Sequence, residues 1–389
     1  MIVYYAADYV MPITGLPIKN GVIGMDQDGR VVGVYERFNA PPNIKITELS
    51  GVLIPGFVNT HCHLELSHLK GQIAQNTGLV TFIGEVIGKR KADDKLVQEA
   101  MEKADEAMYA AGIQAVGDHV NGSISAQVKE KSKMHYHTFV EIIGVKKDEA
   151  REKIDAAREI EFNFDAGHAS ITPHAPYSCS KEMLKVFKKS IASNNIISIH
   201  NQETEEENKF FRYKKGDFLG FYERMGLPLE DFKPQARNSI QSYLPLLPME
   251  NKTILVHNTF TSSKDVDFIE RMERDVIFCL CPKANLYIEG SLPNINILKN
   301  NKFLMTLGTD SYASNDSLSI VEELKTLHAN FKDLDLQDTL KWATLNGAKA
   351  LGLEQELGSL DVGKRPGLIL LKNIEHLALT EKVEVERIV

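Results

Sequence analysis

The spacing His61-Cys62-His63, inside the stretch GVLIPGFVNTHCHLELS, is where residue types first suggest chemistry. Residues 52–58 read as a buried apolar strand punctuated by Pro55 and Gly56. Alternate residues of a strand face the same side, so both imidazoles point at one cation while Cys62 turns away. Neutral imidazole binds zinc and other borderline metals. Alone the motif is weak, because a chain with 12 His places some pairs together by accident. His135-Tyr136-His137 has the same spacing but opens its strand, HYHTFVEIIG, instead of closing it. That pair is expected to be structural or exposed.

The elements that must position these residues are eight short apolar runs: GFVNTHCH, GIQAVGDHV, HYHTFVEIIG, ASITPHAPYS, IISIHNQE, KTILVHNTF, DVIFCLCPKAN and FLMTLGTDS. Amphipathic stretches such as DDKLVQEAMEKADEAMYAAG and SKEMLKVFKKSIASNN separate them. This alternation points to the α/β class and a closed parallel (β/α)8 TIM-type barrel. An open doubly wound sheet is the runner-up, but no Gly-rich phosphate loop follows the first strand. MIVYYA, NGVIGMD, GRVVGVYE and NIKITEL predict a small antiparallel sheet near the start, and GSLDVGKRPGLILL resumes that character near the end. Residues 1–54 with 355–389 are therefore expected to form a split β-sandwich domain around a barrel of residues 55–354.

In such a barrel His61 and His63 end the first strand, His174 the fourth, His200 the fifth, His257 the sixth and Asp310 the eighth. All those ends lie on one face, where catalytic residues converge. A chance scatter of His has no reason to respect strand ends. His119 ends the second strand and reads as a hydrogen-bonded rim residue rather than a ligand. Glu141 ends the third, and either reaches the site or caps a packed network.

Composition narrows the function classes. With 43% apolar and 25% charged residues, the 389-residue chain can bury a large core. It has no run of about 18 apolar residues to span a membrane, and a net charge of −8 speaks against nucleic acid as a partner. The segment MIVYYAADYVMPITG has no basic start and contains Asp8, unlike a secretory signal. Four Cys at irregular spacing suit a reduced, cytoplasmic protein, and Cys279-Leu280-Cys281 reads as strand packing.

At these motifs the chain resembles the amidohydrolase superfamily, over nearly its whole length. PGFVNTHCH is similar to the family's PGxxxxHxH strand, HNQE to the HxxE of its nucleobase-type deaminases, LVH to the strand-6 His and LGTDS to the strand-8 Asp. TPHAPYSCS, HNQETEEE and CPKANLYIEGSLPN resemble the adenosine-type branch, including aminofutalosine and methylthioadenosine/S-adenosylhomocysteine deaminases. The resemblance implies one Zn²⁺, with Fe²⁺ as the alternative, on His61, His63, His200 and Asp310. ASITPHAPYS has no Lys to bridge two metals, so a mononuclear site is favoured. Glu203 and Asp310 would move protons, His257 would hydrogen-bond the attacking oxygen, and His174 would contact substrate. The implied reaction removes the exocyclic amine of a purine-type nucleoside, with 6-amino-6-deoxyfutalosine or another adenosine derivative preferred. Alternatives are hydrolysis of another C–N or a C–Cl bond, or a non-catalytic metal-binding barrel.

The segment after the fifth strand mixes Phe210, Phe211, Tyr213, Phe218, Phe221 and Tyr222 with Arg212 and Arg237. It either packs as an amphipathic helix or forms a wall against an aromatic substrate. One of Arg212, Arg237 or Arg90 is expected to pair a substrate carboxylate. Glu65 either contacts substrate or starts a helix, and Glu205, Glu206 and Glu207 are expected to form a solvated run. The expected partner is a small-molecule substrate; homodimerisation is left open.

Overall fold

All eight apolar runs are strands in the computed structural model, which describes residues 1–299, 303–374 and 377–389. They span Phe57–Cys62, Ile113–Val120, His135–Ile142, Ala169–Pro173, Ile197–Asn201, Thr253–His257, Val276–Leu280 and Leu304–Leu307. The first four pair in parallel in sequence order, and so do the last four. Hydrogen bonds join the two halves. The His200 N–H donates to the His174 carbonyl at 3.0 Å, linking the fourth strand to the fifth. At the other seam the N–H groups of Thr309 and Asp310 donate to the His61 carbonyl at 3.0 and 3.1 Å. The fold is therefore the (β/α)8 barrel of the α/β class.

Amphipathic helices cover the barrel. Asp94–Ala110 is capped by Asp93, whose carboxylate accepts from the N–H groups of Lys95 and Leu96. It buries Val97, Met101, Ala104 and Met108, a spacing that lays one stripe against the strands. Lys181–Ser190 is capped by Ser180 and buries Met183, Leu184 and Phe187 in the same way.

The terminal segments form two further sheets. One runs in the order Val31–Tyr35, Val22–Asp26, Ile2–Ala6, Ile46–Glu48; the other Glu384–Arg387, Ile369–Lys372, Val52–Ile54, Tyr9–Val10, Ile18–Lys19. These sheets are mixed, which corrects the antiparallel expectation. Ile2–Ala6 lies parallel to Ile46–Glu48, and Tyr9–Val10 parallel to Val52–Ile54. In each case a long connection lets the later strand return in the same direction, which a tight hairpin cannot do. Among the described residues no helix is long and apolar enough to cross a membrane.

The seam at the eighth strand depends on a missing side chain. A Cβ on Gly308 would lie 2.7 Å from the His61 Cβ and 3.0 Å from the His61 backbone N and O. Backbone cannot swing aside as a flexible side-chain tip can. Gly308→Ala is expected to cost about 1–3 kcal/mol as an overpacking change, read as a lower midpoint in denaturant with an unchanged m-value.

Candidate active site

The ends of the first, third, fourth, fifth, sixth and eighth strands deliver side chains to the same mouth. His61 is fully buried in the last turn of pleat, and His63 follows directly at φ −127°. The chain then tightens into a 3₁₀ helix, Leu64–Leu69, which places Glu65 in its first turn. The Asp118 carboxylate fixes this bend by accepting from the Leu64 N–H at 2.7 Å, and is itself paired with Lys129 at 2.7 Å. His257 and Asp310 have φ of 73° and 56°, left-handed values uncommon for residues with a side chain. Such strain at strand ends is held by the surrounding structure and concentrates at functional sites.

The ring nitrogens converge without satisfying one another. His63 Nε2 lies 3.2 Å from His200 Nε2, and Asp310 Oδ1 lies 3.7 Å from His61 Nε2 and 3.8 Å from His63 Nε2. Both nitrogens of His61 and Nε2 of His257 are buried with no hydrogen-bond partner among the described residues. Buried polar groups normally find partners, and each neutral ring keeps one lone pair, so these unpartnered nitrogens fit a cation. Further contacts orient the set. His200 donates from Nδ1 to the His174 carbonyl at 2.7 Å, which turns its Nε2 lone pair toward His63. His257 donates from Nδ1 to Asn285 Oδ1 at 2.9 Å, and Ser314 donates to Asp310 Oδ2 at 2.6 Å.

Burial decides the charge states. It holds the His61 and His200 imidazoles well below the usual His range and takes His63 down to about 4, with neighbouring imidazoles adding to the effect on each. All three are therefore neutral near pH 7 and keep their lone pairs. Glu203 moves the other way. Burial, then the carboxylate of Asp310, raise its carboxyl well above the ordinary value, which favours its protonated form. Its Oε1 lies 3.5 Å from His257 Nε2. Burial would raise Glu141 as well, but the interactions with His174, His119 and His63 outweigh it and hold that carboxyl well below its usual value.

A cavity of about 380 Å³ reaches this cluster, lined among others by His63, Glu65, Arg90, His174, Glu203, His257 and Asp310. A larger one of about 670 Å³ lies alongside, beyond Tyr222, but His61, His63, His200 and Asp310 are not in its lining. His119 is committed elsewhere, to Glu141 at 2.9 Å and Ser198 at 2.8 Å, as a hydrogen-bonded residue should be. His137 bonds Ser170 at 2.9 Å in the opposite half of its strand, and His135 is exposed.

Three expectations are corrected. Arg212 and Arg237 do not line the site cavity. The helix Glu205–Tyr213 turns Phe210 and Phe211 inward, which leaves Arg212 beside Glu205 at 3.6 Å, and Arg237 is exposed. Arg90 does reach the cavity, bonded to Glu65 at 2.7 Å and Asn121 at 2.8 Å. Glu207 is not solvated: it is fully buried, accepts from the Gln202 N–H at 3.1 Å, and burial raises it to about 7. Of the aromatic segment, Phe221 and Tyr222 reach the site cavity while Phe218 packs beneath.

Sequence reasoning missed Asn285, Asp118, Lys129 and Ser314. Asn285 follows the seventh strand within the quoted CPKAN, and Asp118 precedes His119 in GDHV, so position at a strand end was the available signal.

Residues 52–388 match the amidohydrolase family. An adenosine deaminase of Helicobacter pylori is 28% identical over 328 residues, 82% of this chain and 78% of that protein. The fold is also that of the crystal structure of H. pylori aminofutalosine deaminase in complex with methylthio-coformycin. That likeness has a TM-score of 0.80 and 22% identity, covering 96% of this chain and 93% of the other. A zinc-bound adenosine deaminase from Xanthomonas campestris gives a TM-score of 0.73 at 22% identity, covering 98% and 86%.

The buried pair under the metal-side bend offers a direct check. Lys129→Ala leaves Asp118 as a buried carboxylate without its cation, expected to cost about 3–5 kcal/mol. Urea unfolding measures this, and a loss below about 1 kcal/mol would show that the pair does not hold the bend.

Proposed function

The chain belongs to the amidohydrolase family, and on that premise we propose that it is a hydrolytic deaminase acting on a purine-type nucleoside. The observation that carries this is the buried Glu203 carboxyl, 3.5 Å from His257 and grouped with Asp310 at the edge of the imidazole cluster, where burial shifts it toward its protonated form. Candidate substrates are 6-amino-6-deoxyfutalosine and other adenosine derivatives, since relatives matched over most of this chain bear adenosine-type deaminase names. His61, His63, His200 and Asp310 would hold one Zn²⁺, which supplies Lewis acidity and brings the ionisation of water near pH 7.

The chain's own residues do the rest. Asp310 presents Oδ1 toward His61 and His63, because Ser314 holds Oδ2, and takes the proton of the attacking water. His257, with Nδ1–H committed to Asn285, turns an accepting Nε2 to that water. Glu203 gives its proton to the ring nitrogen beside the attacked carbon, which prevents negative charge from building on the ring. The amine leaves as ammonia after receiving the proton that Asp310 collected, while the hydroxyl on the ring carbon gives its proton back to the Glu203 carboxylate, so that the carbon keeps the water's oxygen as a carbonyl and the acid is regenerated. His174 stands on the substrate side of the cavity, and Glu65 with Arg90 offers acceptor and donor atoms for the sugar. We place the protein in the cytoplasm, supported by four buried free cysteines.

His200→Ala is expected to drop metal content from about one equivalent to below about a tenth, by elemental analysis of the purified protein. Glu203→Gln is expected to lower kcat for ammonia release by about 10²- to 10⁴-fold, with metal content and thermal midpoint unchanged. Wild-type turnover retained in that variant would remove the proton role.

A further inference from the structure

The acid that faces the cavity stands past the end of its strand. His200 lies within Ile197–Asn201, in register with Val256 of the sixth strand, and its ring is tied to the His174 carbonyl. Glu203 is held less directly. The ladder stops at Asn201, and Glu203 Oε1 lies 3.5 Å from His257 Nε2, beyond the roughly 3.2 Å of a good N–H···O bond. The direction of its carboxyl therefore depends on the turn that carries it. That turn is buried and strained: Gln202 is fully buried with a left-handed φ of 46°. Its carbonyl accepts from the Phe260 N–H at 2.9 Å, and its side chain bonds Thr261 at 2.7 Å and Asp265 at 3.1 Å. Its N–H donates to Glu207 Oε1 at 3.1 Å.

Helix capping alone does not account for Glu207. Thr204-Glu205-Glu206-Glu207 has the T-x-x-E spacing of a capping box, in which the Glu reaches back to the N–H of the capping Thr. Thr204 does cap the helix Glu205–Tyr213, accepting from the Glu206 N–H. The Glu207 carboxylate instead reaches further back, to Gln202, and the Glu203 N–H bears on it as well. We propose that Glu207 is a positioning residue for Glu203: by accepting the Gln202 N–H, it sets the turn that aims the Glu203 carboxyl at the substrate. The proposal rests on the deaminase reading and adds a residue to it. Without that acceptor a buried N–H is left unpaired and the turn shifts to satisfy it. A displacement of about 1 Å at the acid is enough to cost about 100-fold in rate. His200 stays in place, because its strand pairing does not pass through Glu207.

The test is ammonia release by the metal-loaded protein from adenosine, 5′-deoxyadenosine and 6-amino-6-deoxyfutalosine, in wild type, Glu207→Gln, Glu207→Asp, Glu203→Gln and the double variant Glu203→Gln/Glu207→Asp. Gln keeps an acceptor at the same reach and should leave kcat within about threefold of wild type. Asp withdraws the acceptor by one methylene and should lower kcat about 10- to 100-fold, with KM and metal content little changed. Once Glu203 is replaced, Glu207→Asp should change kcat by less than about twofold, since a residue that acts through another adds nothing after that partner is lost. A packing role would lower kcat equally in both backgrounds. Glu207→Met, of similar length but without the acceptor, completes the same cycle if the Asp variant does not fold. Equal losses in both backgrounds, wild-type kcat without the acceptor, or a Glu207→Gln protein as impaired as Glu207→Asp overturns the proposal while deamination stands. Ammonia from none of the three substrates overturns the deaminase reading, and this proposal with it.

Discussion

The N–H groups of His200, Thr309 and Asp310, donating to the carbonyls of His174 and His61, join the two four-stranded halves of the barrel. Of the residues that make these seams, His61, His174, His200 and Asp310 are also among those whose side chains converge at its mouth. Backbone closure and side-chain convergence are thus one constraint. A shift of either seam by a residue would turn the imidazoles to the opposite face of their strands, because side chains alternate. Gly308 lets the eighth strand approach His61 closely enough for the second seam to form.

Closure also removes water. Imidazoles and carboxylates that would hydrogen-bond solvent are left with one another, and the low local dielectric sorts them by what each neighbour offers. His61, His63 and His200 lose their affinity for protons and keep lone pairs free. Glu203, buried and meeting another carboxylate in Asp310, is shifted toward its protonated form instead. Opposite protonation states within one small volume are what acid and base roles at a single pH require. The polar groups behind them, Asn285, Ser314 and the His174 carbonyl, each occupy one atom of a site residue and so decide which atom faces inward.

Much of this was legible in the chain. The eight apolar runs, the His or Asp at their ends and the misplaced second HxH all follow from short-range periodicity, which needs no tertiary information. Arg212 and Arg237 show where such reasoning stops. Their type suits a carboxylate, but a helix has several faces, and packing of Phe210 and Phe211 sends Arg212 outward. Glu207 illustrates the same point from the other side. It sits in an acidic run that looks solvated, yet the chain reversal at Gln202 aims it into the interior.

By itself the sequence determined the kinds of donor available and the strand ends that carry them, because both are local properties of a few neighbouring residues. Only the tertiary structure decided which donors meet, which lone pairs stay unsatisfied and which of the three Arg, Arg90, stands at the cavity. Those depend on contacts between residues far apart in the chain, such as His61 with Asp310 and His257 with Asn285, that exist only once the ring of strands is closed.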